Sequence, residues 1–317
     1  MKLFVTRRMT QAAEAALKAR FDVTIRDETA GLTPAEAAQA MRDYDAILPT
    51  LGDGFSAAAF AEGPLRCKIL GNFGAGYNHI DIKAATEAGV IVTNTPDVVT
   101  EATADIALTL ILMIARRASE GERLLRRGEW TGWQPTQLLG RHVSGCTVGI
   151  IGMGRIGKAI AQRCFHGFGM DVIFYNRSAV SALDIPARQV DSLAELMKQA
   201  DFAVVAVPGG PNTKHMIGDA ELAQLGPRSY LINIARGDIV EEAALIRALQ
   251  ENRIAGAALD VFEREPEVPE ALRVLENATL LPHLGTATEE VRTGMAMRAM
   301  ENLVAFDEGR ALRDRVN

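Results

Sequence analysis

The chain has 317 residues, of which 48% are apolar and 23% charged, a composition typical of a folded globular protein of about two domains. Its 34 basic and 40 acidic side chains leave a net charge of −6, which argues against nucleic acid or a membrane as partner and favours a small-molecule ligand. Three cysteines without CxxC spacing argue against disulfides and structural zinc, so we expect a cytoplasmic protein with no metal site.

Neither an export signal nor a membrane span is expected. The first residues, MKLFVTRR, pass directly into a strand-like run, with no long apolar stretch or small-residue cleavage site behind it. The most apolar segment, Ile106 to Ala115, falls well short of the roughly 20 residues that cross a bilayer.

Strand-like and helical segments alternate in the first part of the chain. The strand-like runs are LFVT, DVTIR, AILPT, CKILGNF and VIVTNT. Helical segments between them include QAAEAALKAR and PAEAAQAMRDY, the second of which begins at Pro34. Such alternation predicts an α/β fold with a parallel sheet.

A helix that is apolar on nearly every face comes next, from Ile106 to Ile114. It must be buried, either deep inside one subunit or against a copy of itself. Because its position between two strand series leaves little else to cover it, we favour a homodimer.

A second series of strand-like runs begins at Thr147 and comprises TVGIIG, DVIFYN, FAVVAVP, YLINIA, AGAALDVF and ATLLPH. Helical segments such as DSLAELMKQ and EEAALIRALQ lie between them, so the chain holds two doubly wound parallel sheets. The final helical segment, from Ala287 to about Phe306, has no further sheet to follow, and we expect it to pack on the first domain, which is then discontinuous.

A glycine motif, GxGxxG, lies between the strand TVGIIG and the helix after it, at Gly152, Gly154 and Gly157. The first glycine allows a tight turn, the second allows a pyrophosphate to approach the backbone, and the third allows helix and strand to pack closely. With a further strand behind the helix, the motif predicts dinucleotide binding.

The sequence after the second strand of this series indicates the type of dinucleotide. An acidic residue there binds the ribose 2′-hydroxyl of NAD, but this chain has Asn176, Arg177 and Ser178. A guanidinium with amide and hydroxyl donors suits a 2′-phosphate, so we predict NADP(H), with NAD(H) used at lower efficiency. The alternative is that Arg177 is an ordinary surface arginine.

Four polar residues follow predicted strands of the second sheet: Arg236, Asp260, Glu265 and His283. The carboxyl ends of parallel strands meet at one edge, where ligands bind. Together the residues offer a cation for a carboxylate, a proton donor and an acid to orient and charge that donor, which is what reduction of a ketone requires.

The chain resembles the D-isomer-specific 2-hydroxyacid dehydrogenase family in six motifs that occur in order: GNFGAGYNHID, EATAD, GMGRIG, NIARGDIV, ALDVFEREP and LPHLGTAT. The resemblance covers essentially the whole chain. It implies a flavodoxin-like substrate domain of residues 1–97 and 287–317, a Rossmann domain of residues 98–286 with a dimerisation arm at about 98–146, and a cleft between the domains.

The resemblance also implies roles for individual residues. Arg236 matches the catalytic arginine, Glu265 the acid that pairs with the histidine, and His283 the catalytic acid/base, while the amides around Ala75 and Gly76 match the loop that binds the substrate carboxylate. Besides the glycine motif, the 176–178 segment, Arg236 and His283, the implied cofactor contacts are Thr103, Arg155, Ile156, Val207, Pro208, Thr213, Ala235, Asp260 and Gly285.

Within the family, the Asn-Arg-Ser segment and the TGWQP segment at Thr131 to Pro135 resemble the glyoxylate and hydroxypyruvate reductase branch. This resemblance implies NADPH-dependent reduction of glyoxylate, hydroxypyruvate or both, to glycolate or D-glycerate. The alternatives are another 2-hydroxyacid dehydrogenase, a phosphite dehydrogenase with the same Arg, Glu and His, and a corepressor-like protein that binds a dinucleotide without turnover.

Overall fold

The computed structural model describes residues 1–61, 63–181 and 183–317. The chain divides into two compact units, one made of Met1–Val99 and Thr286–Asn317, the other of Thr100–Gly285. Each unit is built around a sheet whose strands pair in parallel, so the predicted α/β class with two parallel sheets is confirmed.

The first unit contains a five-stranded sheet. Its strands are β1 (Lys2–Val5), β2 (Asp22–Ile25), β3 (Ala46–Leu48), β4 (Ile69–Gly71) and β5 (Ile91–Thr93). Its helices are α1 (Gln11–Arg20), α2 (Pro34–Asp43), α3 (Ala57–Ala61), α4 (Ile82–Glu87) and, from the second segment, α12 (Glu289–Asp307). The strand order β2-β1-β3-β4-β5 is that of flavodoxin-like sheets.

Both faces of this sheet are buried, because the side chains of each strand alternate between two apolar clusters. Leu3 of β1 packs in one cluster with Ala299 and Leu303 of α12, whereas Phe4 packs in the other with Met41 of α2. Helix α12 therefore covers the sheet of the first unit, where it also contacts α1.

The second unit contains a seven-stranded sheet. Its strands are β6 (Thr147–Ile151), β7 (Asp171–Tyr175), β8 (Ala187–Gln189), β9 (Phe202–Val205), β10 (Tyr230–Asn233), β11 (Gly256–Leu259) and β12 (Ala278–Leu280). Its helices are α5 (Thr100–Ala115), α6 (Ala118–Arg126), α7 (Arg155–Phe168), α8 (Leu193–Gln199), α9 (Asp219–Leu222), α10 (Glu242–Gln250) and α11 (Glu270–Arg273), with one 3₁₀ turn at Gly237–Ile239.

The strand order of the second sheet is β8-β7-β6-β9-β10-β11-β12, so the direction of winding reverses between β6 and β9. Ligands of doubly wound sheets bind at the carboxyl ends of the strands beside such a reversal. The edge strand β8 was not predicted, because its sequence, ARQ, is polar and none of its residues is fully buried.

The apolar helix α5 is buried within its own unit, where it packs against α7 and against β10, β11 and β12. Of the two alternatives considered for this helix, burial within one subunit is therefore the one observed, because the sheet and α7 cover it, and the homodimer stays a prediction. Helix α6, by contrast, has no buried residue. In the segment after it, the side chain of Trp133 is 81% exposed.

In the described part of the chain, no helix combines the length and the apolar character that a membrane span requires.

Candidate active site

The glycine motif forms the turn between β6 and α7. Gly152 has φ +101°, which favours glycine, and a Cβ there would lie 2.7 Å from Cγ1 of Val207. A Cβ on Gly157 would lie 2.1 Å from the carbonyl oxygen of Gly152, so only glycine lets α7 approach the turn this closely. At Gly154, the N-cap of α7, a Cβ would meet nothing within 4 Å, so the backbone is open to an approaching pyrophosphate.

The end of β7 is tied to this turn by Asn176. Its Oδ1 accepts a hydrogen bond from the amide of Met153 at 3.3 Å, and its Nδ2 donates to the carbonyl oxygen of Ser178 at 2.9 Å and to its Oγ at 3.2 Å. The Asn176 side chain thus holds the backbone, while Arg177 and Ser178 are exposed. Because none of the three is acidic, the segment does not repel a 2′-phosphate.

Sequence reasoning missed Gln189 of β8, which fastens the same segment from the side. Its Nε2 donates to the carbonyl oxygens of Asn176 and Ser178, both at 3.1 Å, and its Oε1 accepts from the amide of Val180 at 3.1 Å. A single side chain therefore fixes the backbone on both sides of Arg177.

His283 and Glu265 are paired at the carboxyl ends of β11 and β12. Nδ1 of His283 lies 2.8 Å from Oε2 of Glu265, whose Oε1 accepts a hydrogen bond from the amide of Phe262 at 3.0 Å. Burial works to raise the pKa of Glu265, but the hydrogen bond and charge of His283, the Phe262 amide and the charge of Arg236 together hold it below its ordinary value. The carboxyl is therefore ionised throughout the neutral range.

Arg236 follows β10, and its turn is packed against the segment that carries Glu265. A Cβ on Gly237 would lie 1.8 Å from the carbonyl carbon of Phe262, so a glycine is required where the two backbones meet. Asn233, which sequence reasoning missed, shapes this turn, because its Nδ2 donates to the carbonyl oxygen of Arg236 at 2.9 Å. Burial lowers the pKa of the guanidinium, whereas the charges of Glu265 and Asp238 act in the opposite direction.

Asp260 holds the turn that carries His283. It is 1% exposed, and its Oδ1 and Oδ2 accept hydrogen bonds from the amides of Leu284 at 2.6 Å and Gly285 at 2.8 Å. Burial raises the pKa of Asp260, although the two amides oppose this. His283 itself has φ +54° and donates its amide to the carbonyl oxygen of Asp260. Both side-chain oxygens of Asp260 are thus bonded to the backbone, and its direct contact with a cofactor stays a prediction.

The other predicted site residues lie in five places. Arg155 and Ile156 begin α7, Ala235 lies in the Arg236 turn, and Thr103 in α5 donates to the carbonyl oxygen of Gly285 at 3.3 Å. Val207, Pro208 and Thr213 follow β9 in a turn that Thr213 closes with its hydroxyl on the Pro208 carbonyl. Ala75 and Gly76 lie in the first unit, in the turn after β4.

Within residues 1–61, 63–181 and 183–317, no cluster of three or more His, Cys, Asp or Glu side chains is arranged to bind a metal ion.

Residues 108–285 match the family model described as D-isomer specific 2-hydroxyacid dehydrogenase, NAD binding domain. The chain belongs to this family. The second unit is therefore a nicotinamide dinucleotide-binding domain, as the glycine turn indicates. Among curated members, the glyoxylate reductase of Thermococcus gammatolerans is 42% identical over 97% of this chain and 93% of its own length.

Solved structures of other members have the same fold. The NADPH-dependent glyoxylate/hydroxypyruvate reductase of Sinorhizobium meliloti, in complex with NADP and malonate, is 34% identical, with a TM-score of 0.88 over 99% of this chain and 96% of that one. A glyoxylate reductase from Paecilomyes thermophila is 33% identical, with a TM-score of 0.87 over 100% of this chain and 98% of that one. This member of the family thus shares its fold with both reductases along nearly its whole length.

Proposed function

We propose that this family member reduces glyoxylate, hydroxypyruvate or both to the 2-hydroxy acid with NADPH. The observation that carries the proposal is the His283–Glu265 pair, joined at 2.8 Å at the carboxyl edge of a dinucleotide-binding sheet, with Arg236 close enough for its charge to act on Glu265. The similarity to proteins named glyoxylate reductase, at 42% identity and below, supports the choice of substrate.

In this mechanism Arg236 binds and orients the carboxylate of the 2-oxo acid and stabilises the negative charge that develops on the ketone oxygen. When bound, the reduced nicotinamide supplies the hydride that the carbonyl carbon accepts. His283 donates a proton from Nε2 to the oxygen, because its Nδ1 hydrogen is held by Glu265. The carbonyl thereby becomes CH–OH, and the neutral imidazole regains a proton from water.

The preference for NADPH is supported by the 176–178 segment. Arg177 is exposed on a backbone that Asn176 and Gln189 fix, and it offers a charge-assisted hydrogen bond to a 2′-phosphate. NADH, which lacks this phosphate, is used at lower efficiency. The Gly152–Gly157 turn would hold the pyrophosphate, and the remaining cofactor contacts would be those predicted from the sequence, at residues 103, 155, 156, 207, 208, 213, 235, 236, 260, 283 and 285.

We also propose a cytoplasmic homodimer, with α6 and the segment after it as the interface. The exposed apolar side chains of Leu125, Trp130, Trp133 and Leu139 support this interface, since large apolar patches on a surface mark contacts with partners. The cytoplasmic location is supported by the free cysteines. Burial raises the pKa of Cys67 and of Cys164 to about 12, so these thiols stay protonated and unreactive.

The substrate assignment is tested by mixing the protein with NADPH or NADH and a panel of glyoxylate, hydroxypyruvate and 2-oxobutyrate, and separately with NAD⁺ or NADP⁺ and phosphite, while absorbance at 340 nm is followed. We expect the highest kcat/KM with NADPH and one of the first two acids. Binding of NADPH without turnover of any 2-oxo acid would make the protein a dinucleotide-binding protein. Reduction of NAD⁺ by phosphite would make it a phosphite dehydrogenase.

The role of His283 is tested with His283→Asn, because asparagine tolerates the positive φ at this position. Loss of a general acid lowers kcat by about 10²- to 10⁴-fold. His215 provides a matched control, since it also has a positive φ, +50°, and its Nε2 lies 3.0 Å from Oε1 of Glu263. We expect His215→Asn to leave kcat within about threefold of the wild type. Equal losses in the two variants would remove His283 from this role.

A further inference from the structure

The turn after β4 is held by two asparagine side chains that donate to three successive carbonyl oxygens. Nδ2 of Asn72 donates to the carbonyl oxygen of Gly74 at 2.9 Å and to that of Gly76 at 3.0 Å. Nδ2 of Asn94 donates to the carbonyl oxygen between them, that of Ala75, at 2.8 Å. All three carbonyl groups therefore point toward the asparagines.

The direction of these carbonyl groups fixes the direction of the amides that follow them. In a planar trans peptide, the carbonyl of one residue and the N–H of the next point in opposite directions. The amides of Ala75, Gly76 and Tyr77 therefore point away from the asparagines, and they donate to no protein acceptor within the described ranges. Successive backbone N–H groups on one side of a turn form a site for an anion.

The two asparagines occupy equivalent places in the sheet. Asn72 directly follows β4 and Asn94 directly follows β5, and these strands pair in parallel with Gly71 opposite Thr93. Asn72 is completely buried and is further fixed by its amide, which donates to the carbonyl oxygen of Thr93 at 3.0 Å. An aspartate at either place would set a carboxylate oxygen against carbonyl oxygens, so the amide side chain is required.

We propose that Asn72 and Asn94 are positioning residues for the substrate carboxylate, which they serve by aiming the amides of Ala75, Gly76 and Tyr77 at it. This inference rests on the proposed function, because it takes the carboxylate of a 2-oxo acid as the ligand. The inference adds the Tyr77 amide as a donor. It also gives two side chains that do not touch the substrate a role in the recognition of its charge.

The test uses Asn94→Asp, which keeps the shape of the side chain and removes its donor, and Asn94→Ala as a second variant. Asn94 is only half-buried, so both variants are expected to fold. We expect the KM for glyoxylate to rise by about tenfold or more, while kcat and the KM for NADPH change by less than about threefold. For glyoxylamide, which carries an uncharged amide in place of the carboxylate, kcat/KM is expected to fall much less.

Asn277→Ala is the matched control, because it removes another asparagine hydrogen bond to a carbonyl oxygen, that of Leu249, in the second unit. We expect it to leave both KM values unchanged. Two results would show that Asn94 does not position the carboxylate. In the first, the Asn94 variants have a lower Tm and lower kcat and kcat/KM for every substrate alike. In the second, the KM for glyoxylate is unchanged.

A second readout separates this inference from the proposed function. Oxalate, an unreactive mimic of glyoxylate, is titrated into the protein with NADPH bound, and its affinity is read from NADPH fluorescence. An affinity that is about tenfold lower in both Asn94 variants supports the positioning role even if the wild type turns over a different 2-oxo acid. Unchanged oxalate affinity with intact turnover overturns the positioning role alone, and a wild type that neither turns over a 2-oxo acid nor binds oxalate overturns both proposals.

Discussion

Replacing Glu265 by glutamine tests the chemistry at the centre of the site. Both carboxylate oxygens act as acceptors, Oε2 toward Nδ1 of His283 and Oε1 toward the amide of Phe262. Glutamine has one acceptor and one donor in their place, so while it accepts from the Phe262 amide it presents its NH2 group to Nδ1 and cannot accept the hydrogen of a protonated imidazole there. It also removes the negative charge that favours the protonated imidazole.

The size of the effect follows from the exposure of the pair. A hydrogen bond to a charged group contributes about 1.5 to 3 kcal/mol. His283 and Glu265 remain 30% and 31% exposed, so water screens the pair and the lower end of that range applies. Since about 1.36 kcal/mol corresponds to a factor of ten in rate, we expect Glu265→Gln to lower kcat/KM for reduction by about tenfold at neutral pH.

The direction in which the alkaline limb of the pH profile moves is determined by the need for a protonated donor. Reduction is fast where the general acid carries its proton and falls as the pH rises, whereas oxidation of the 2-hydroxy acid depends on pH in the reverse sense. In Glu265→Gln the alkaline limb of kcat/KM for reduction is therefore expected at lower pH than in the wild type, because the neighbouring negative charge is gone. The assay is the initial rate of NADPH oxidation at 340 nm with saturating NADPH, between pH 5 and 10.

Glu263→Gln is the control, because Glu263 is also paired with a histidine, His215. Burial works to raise the pKa of Glu263, but the hydrogen bond and charge of His215, the Glu242 amide and the charge of Arg264 together hold it below its ordinary value, so both glutamates are ionised at neutral pH. We expect the alkaline limb to stay in place in this variant. An unmoved limb in Glu265→Gln, or equal shifts in the two variants, would refute the reasoning.

Three other changes probe the cofactor site, the pH dependence of stability and the interface. Arg177→Ala should lower kcat/KM for NADPH by about tenfold or more and leave that for NADH nearly unchanged, with exposed Arg188→Ala as control. Because the pKa of Glu265 is lowered in the folded state, its contribution to stability is present above its ordinary pKa of 4.5 and is lost as the pH falls through the lower, folded value. The difference in Tm between the wild type and Glu265→Gln should therefore shrink between pH 7 and pH 3, and a difference that stays constant would contradict the lowered pKa. Leu125→Glu places a charge on the apolar face of α6, 60% exposed at this residue, and should convert a dimer to a monomer in sedimentation experiments; a wild type that is already monomeric would contradict the proposed interface.

Much of the fold could be predicted because its signals are apolar and local. The strand-like runs of both series coincide with observed strands, and TVGIIG followed by glycines at fixed spacing indicated the turn after β6. The polar edge strand β8 gave no such signal. The apolar sequence of α5 predicted that this helix is buried, but it did not indicate what covers the helix. The structure shows that the sheet and α7 cover it.

Residues of the candidate site whose side chains offer chemistry were predictable from the sequence, whereas residues whose side chains hold the backbone in place were not. Arg236, Glu265 and His283 are chemically informative residues after strands, and the structure pairs two of them. Asn94 and the glutamine of β8 act through hydrogen bonds to carbonyl oxygens distant in sequence, and Asn72 through bonds to carbonyl oxygens two and four residues ahead. Such bonds depend on how the backbone turns, and an isolated asparagine or glutamine has no pattern that reveals them.

The discontinuity of the first unit has a consequence for biosynthesis. Residues 100–285 emerge from the ribosome as an uninterrupted segment that contains its whole sheet, so this unit is able to fold during translation. The sheet of the first unit, although its strands are synthesised earlier, lacks the cover of Ala299 and Leu303 until α12 has been released. The sheet of the first unit therefore acquires its full cover only after the whole second unit has been synthesised.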